Sequence, residues 1–187
     1  MMRTSCALGL IVLVLLAGLA YPQDKNKEGQ NLSTREMEAL KEHAKGTEQM
    51  LAKNFKEAIV FFKRALELNP DFSEACYNLG ISYEELGKHQ DSVEALKRSI
   101  TLAPDNAHAH YALGYAYYQL KRYKESIDAF ERSIALKPNN AFALSKLGHA
   151  YLATGNKDKA QEQYNMLKTL NATLAEELNR EIAKKEK

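Results

Sequence analysis

The residues able to carry chemistry are few and scattered. The histidines are His43, His89, His108, His110 and His149. His108 and His110 are two apart, so a helix points them in different directions. No His/Cys/Asp set has the spacing of a zinc site. There is no glycine-rich phosphate loop and no nucleophile elbow. Carboxylate neighbours such as Glu84 and Glu85 are ordinary on a solvated helix. The two cysteines are Cys6, just before an apolar N-terminal run, and Cys76, which stands alone further on. Cys76 reads as a small apolar packing residue, and His110 as a satisfied core histidine in the same packing column. These observations predict no enzyme, no metal and no cofactor. What does recur on one helical face is tyrosine: Tyr111, Tyr115 and Tyr118 follow i, i+4, i+7 spacing. Tyrosine gives large, rigid contact area at low entropic cost, which is binding chemistry.

The chain balances 26 basic against 24 acidic residues over 187 positions. No Lys/Arg block is long enough to track a phosphate backbone, which argues against a nucleic-acid partner. Arg3 is followed by the apolar run Ala7–Ala20, with small residues at Gly18 and Ala20. This reads as a secretory signal over residues 1–20. A membrane span needs about 20 apolar residues, and this run is shorter, so an uncleaved anchor is the alternative. The membrane would then be met only through that segment. The expected location is the periplasm or the exterior. Residues 21–33 are polar, with Pro22 and Gly29, and read as a flexible linker.

The remainder, 34–187, carries an internal repeat. Gly46, Gly80, Gly114 and Gly148 are 34 residues apart, as are Pro70, Pro104 and Pro138. Leu79, Leu113 and Leu147 keep the same step, as do Tyr83, Tyr117 and Tyr151. So do the bulky column Phe62, Leu96, Phe130, Tyr164 and the small column Ala58, Ser92, Ser126, Ala160. Each unit reads as two amphipathic helices with a turn between them, clearest at Gly87 and Gly155, and a proline closing the second. Capping boxes are expected at Ser33/Glu36, Asp71/Glu74 and Thr173/Glu176. In the first unit, Met37, Leu40, Ala44 and Leu51 are expected to pack, while Glu42, Lys45 and Gln49 form a polar outer face. Leu174, Leu178 and Ile182 mark a capping helix over 174–185, and the closing lysine-rich residues read as a frayed tail.

These columns resemble the tetratricopeptide repeat (TPR) family. Its pattern is met here by Leu113-Gly114, Tyr117, Ser126, Phe130, Ser133 and Pro138. The resemblance implies an all-α, right-handed solenoid of antiparallel helix pairs, with units 39–72, 73–106, 107–140 and 141–174. It further implies a concave groove lined by the first helix of each unit. The groove positions are Tyr77, Asn78, Ile81, Glu84 and Glu85 in the second unit. They are His108, Tyr111, Tyr115, Tyr118 and Gln119 in the third, and Phe142, Lys146, His149 and Leu152 in the fourth. In the first they are chiefly Leu40, His43, Thr47 and Met50. Tyr83 and Tyr117 belong to packing columns instead. Some members grip a C-terminal carboxylate with a clamp of Lys, Asn and Arg. Only Asn78 fits that clamp; His43, Thr47, His108 and Ala112 do not, nor does a register moved by one repeat.

The function expected is a non-catalytic scaffold or adaptor of the cell envelope that takes a peptide or partner helix in this groove. Two alternatives use other chemistry. The stack could self-associate, with Leu178 and Ile182 facing a second chain, or the tyrosines could stack on a cell-wall glycan.

Overall fold

The computed structural model describes residues 32–184. The expected signal, nearly all of the linker and the last three residues of the tail lie outside them. Among the described residues there are nine helices and no strand. They form four pairs and a final single helix: α1 (Thr34–Leu51) with α2 (Phe55–Leu68), α3 (Ser73–Glu85) with α4 (His89–Leu102), α5 (Ala107–Gln119) with α6 (Tyr123–Leu136), α7 (Ala141–Ala153) with α8 (Lys157–Leu170), then α9 (Ala172–Lys184). Each first helix packs on its own second helix, and each second helix packs on the first helix of the next pair. The fold is an all-α helical repeat.

Local chemistry sets the ends. Ser33 and Glu36 form the expected capping box on α1. Asn106 and Asn140 cap α5 and α7 through their side chains. Asp71 does not cap α3. Phe72 stands at that position with no side-chain cap, and its ring lies 4.7 Å from His43. Hydrophobic contact replaces the polar cap there. The turn inside each pair has a left-handed residue at the same repeat position. Glycine supplies it at Gly87 (φ 70°) and Gly155 (φ 79°), lysine at Lys53 (φ 62°) and Lys121 (φ 58°). The prolines follow the ends of α2, α4 and α6, where they cannot continue a helix.

The core is the column chemistry. Phe62, Leu96 and Phe130 are fully buried, and Cys76 is nearly so. A Cβ at Gly46, Gly80 or Gly114 would sit 2.6 Å from Phe62, 2.6 Å from Leu96 and 2.7 Å from Phe130 respectively. Serine in the small columns also ties helices together. Ser126 Oγ donates to the Gly114 carbonyl at 2.8 Å, Ser99 Oγ to that of Ser73 at 3.0 Å and Ser133 Oγ to that of Ala107 at 2.8 Å. His110 is satisfied but outside the core: half-buried, with Nε2 2.9 Å from the Pro104 carbonyl.

Both ends of the stack depart from expectation. In α1, Ala39 and Gly46 are the buried residues. Met37, Leu40 and Leu51 are 52%, 44% and 73% exposed, and Ala44 is exposed too. The outer face of the first unit is therefore more apolar than expected, with no earlier pair to cover it among the described residues, while Glu42 is half-buried. At the other end, Asn171 serves both as the C-cap of α8 and as the N-cap of α9, accepting from Leu174 N–H at 3.1 Å. Helix α9 thus starts at Ala172, and Thr173 lies within it. One residue replaces the longer turns seen between the other pairs. This draws α9 onto both α7 and α8. A Cβ at Gly148 would meet Leu178 Cδ2 at 2.5 Å, so Leu178 takes the place expected of Tyr164, which is only half-buried.

Candidate functional site

The first helices are the natural presenting surface. Adjoining first helices touch one another (α1 with α3, α3 with α5, α5 with α7), whereas adjoining second helices do not. A stack closer-set along its first helices curves toward them. Their side chains that are not used for stacking therefore line the inner side of the curve.

The centre of that side is aromatic. Tyr77 on α3 and Tyr111, Tyr115 and Tyr118 on α5 are all half-buried. The Tyr111 ring packs against Phe130 at 5.7 Å, and the Tyr118 ring meets Tyr123 edge-on at 5.4 Å. Burial holds the Tyr111 phenol above its ordinary pKa, with further upward pushes from Tyr115 and Tyr77. The Tyr115 and Tyr77 phenols thus both lie within electrostatic reach of that of Tyr111. Tyr115 is fixed on two sides: its hydroxyl accepts from Gln119 Nε2 at 2.8 Å, and Lys146 Nζ on α7 lies 5.5 Å from its ring centre. These contacts hold the rings in place while leaving part of each exposed. Pre-positioned aromatic area of this kind can bind without paying much ordering entropy.

The flanks differ. Toward α1, Asn78 Nδ2 donates to His43 Nε2 at 2.9 Å. Ile81 and Glu84 continue the Tyr77 stripe and are half-buried. At the upper rim His108 is exposed and Phe142 is 62% exposed, large for a phenylalanine. Toward the C-terminus the surface closes. Leu152, expected on the groove, is only 6% exposed and belongs to the core cluster that contains Leu178 and Ile182. His149 borders an open cleft with Glu177, Arg180, Glu181 and Lys184 of α9. Its Nδ1 lies 2.7 Å from the Ser145 carbonyl. Glu181 also contributes to the raised pKa of the Tyr118 phenol, after burial and Tyr123. Helix α9 therefore closes off the Leu152 end of the fourth unit's share of the surface and leaves Phe142 exposed, which the sequence did not announce. The burial of Leu178 and Ile182 likewise closes the route to self-association through those two residues. Among the described residues no three His, Cys, Asp or Glu side chains are grouped to hold a metal ion.

Three tetratricopeptide repeat family models match residues 49–98, 77–141 and 129–162. The chain carries tetratricopeptide repeats. No curated protein matches it significantly. Among solved structures, the TPR stack is similar to the MamA protein, with 29% identity, a TM-score of 0.69, and coverage of 78% of this chain and 86% of that one. It is also similar to YrrB, described as a TPR protein with an unusual peptide-binding site, at 21% identity and a TM-score of 0.70, covering 76% and 74% of the two chains. The first TPR of Spaghetti (RPAP3), solved bound to the HSP90 peptide SRMEEVD, matches at 22% identity and a TM-score of 0.63, covering 64% of this chain and 95% of that one. TPR repeats and these neighbours support a protein-interaction scaffold.

Proposed function

We propose that this TPR stack is a non-catalytic scaffold that holds an extended peptide or a partner helix along its first helices, centred on α3 and α5. The observation that carries the reading is the set of half-buried tyrosines, Tyr77, Tyr111 and Tyr115, anchored by neighbours yet still accessible. Stacking alone is satisfied by the glycine, phenylalanine and serine columns, so the exposed part of these rings is left for a ligand. Peptide binding in RPAP3 and YrrB supports the same use of the scaffold here. The carboxylate clamp is not part of the proposal, because its basic residues are missing. The tract runs from Leu40 and His43 to Tyr118, with Phe142 and Lys146 at its margin and α9 as its end stop. The cell envelope is part of the proposal and rests on the export segment read in the sequence alone.

A random dodecapeptide library displayed on phage and selected against the full chain tests the reading. Selected peptides should bind the Tyr115→Ala variant at least about tenfold more weakly, as expected when an aromatic anchor is lost. Circular dichroism confirms that the variant is folded. Equal binding by a folded variant would remove the groove. A second reading is favoured by the exposed Met37, Leu40 and Leu51: the open end of the stack meets another chain end-on. Light scattering that shows only monomer up to millimolar concentration excludes it.

A further inference from the structure

Helix α1 has an apolar side that stacking does not use. Ala39 and Gly46 are its buried residues and mark the side turned to its own stack. On the far side Met37, Ala44 and Leu51 stand seven residues apart, with Leu40 between the first two. All four are exposed, Leu51 at 73%. A seven-residue apolar step along one stripe is the pattern of a helix that packs on another helix. Later units show what this side of a first helix meets. Ala44 holds the repeat position of Asn78 and Lys146. Each of those touches the preceding first helix: Asn78 Nδ2 lies 2.9 Å from His43 Nε2, and Lys146 Nζ lies 5.5 Å from the Tyr115 ring centre. Among the described residues α1 has no preceding first helix. Its stripe is flanked on one side by Lys41 and Glu48, both exposed and two turns apart. Neither makes an ion pair among the described residues.

We propose that this stripe docks on α1 of a second copy of the chain, the two helices antiparallel about a two-fold axis at Ala44. This rests on the end-on reading above and names its partner and geometry. The charges decide the direction. Reversing the second helix about Ala44 sets Lys41 of each chain beside Glu48 of the other, which makes two ion pairs. A parallel pairing in register sets Lys41 against Lys41 and Glu48 against Glu48, and like charges oppose it. The same axis places Met37 against Leu51, Leu40 against Thr47 and Ala44 against Ala44, where the small side chain lets the helices come close. A head-to-tail contact is worse matched, because α9 at the other end exposes Glu176, Glu177, Arg180 and Lys184. A two-fold contact closes at two chains. Helix α1 has 18 residues and is about 27 Å long, so the contact is small and the dimer weak.

Sedimentation equilibrium of the full chain at low salt, from micromolar to millimolar concentration, is the test. The unaltered chain should pass from monomer to dimer and no further. Leu51→Glu puts a charge in the stripe and should weaken the dimer at least about tenfold; circular dichroism checks that it is folded. Lys41→Glu and Glu48→Lys each set like charges together across the axis, and each alone should weaken the dimer about fivefold, the scale of a surface ion pair. Mixed in equal amounts, these two variants should associate as tightly as the unaltered chain, because each then meets its opposite charge. Monomer throughout overturns both this proposal and the end-on reading. Association that ignores Leu51→Glu lies elsewhere, the Ala7–Ala20 run included, and also overturns both. Association that needs Leu51 but is unmoved by the single charge reversals, or is not restored by mixing, overturns the antiparallel two-fold and leaves the end-on reading standing. Should Leu51→Glu fail to fold, the charge variants decide alone: weakening by each with recovery on mixing supports the proposal, and any other pattern refutes it.

Discussion

Lys121 and Gly155 occupy the same turn position, and the difference between them is a stability difference. Lys121 holds φ at 58° and Gly155 at 79°. A side chain crowds the backbone in this left-handed region, while glycine enters it freely. Lys121→Gly should therefore stabilise the fold by about 0.5–1 kcal/mol, read from urea denaturation, after allowing for glycine's greater freedom when unfolded. An unchanged midpoint would mean that the turn relaxes around lysine at no cost. His43 provides a pH-dependent term. Burial between Phe62 and Phe72 holds its imidazole below the ordinary value, with Glu74 pulling the other way. Its Nε2 accepts from Asn78, so protonation would also break that bond. The folded chain resists a proton that the unfolded chain accepts near pH 6.5. The stabilising contribution is complete above about pH 6.5 and is lost as pH falls from there through the lower folded value. Between pH 7.5 and 5.5 the natural chain should lose more stability than His43→Gln; equal losses would clear His43 of the effect.

At the level of the helix, α9 is the element with most leverage. Leu178 is fully buried, and its methyl groups fill the space above Gly148. Leu178→Ala should cost about 2–5 kcal/mol, the range for a buried leucine. It should also bare Leu152 and raise the binding of an apolar dye. A loss below 1 kcal/mol would mean that α9 is only loosely docked. The sequence showed that this helix exists, through the Leu174, Leu178, Ile182 stripe, but not where it lies. The 34-residue step located the glycine, phenylalanine and proline columns because each is set by contacts repeated in every unit. Where the step fails, so does the reading. Asn171 stands where the proline column predicts a longer turn, and a one-residue connection sends α9 across α7. That placement is a tertiary outcome, and it turned Leu152 from an expected groove residue into a core one. Likewise Asp71 had the spacing of a cap, but Phe72 gains more by packing its ring on His43. That Tyr111, Tyr115 and Tyr118 share one helix was legible, since their i, i+4, i+7 spacing depends only on helix geometry. The contacts that fix Tyr115, from Gln119 and Lys146, were not, because they join side chains whose rotamers the spacing leaves open.

In the whole stack, stability should run along a gradient. A repeat array is close to one-dimensional: each pair is held by its own contacts and by its immediate neighbours. The pair α5 and α6 has neighbours on both sides. The pair α7 and α8 has α6 before it and α9 beyond. Among the described residues the pair α1 and α2 is packed only by α3, and Met37, Leu40 and Leu51 on α1 are exposed. The apolar area bared there contributes nothing to folding. Among the described residues the two ends are thus unequal: α9 covers the C-terminal one, and the N-terminal one has no such cover. Native-state hydrogen exchange should follow this order, since local openings need only the free energy of the segment that opens. Amides of α1 and α2 should exchange first and those of α5 and α6 last, with α7 and α8 nearer to the latter. Removing residues 172–187 should take away the closure and bring α7 and α8 to the exchange rates of α1 and α2. Equal protection across all four pairs would mean that coupling between neighbours exceeds the difference between the ends, and the stack would then open as one cooperative unit.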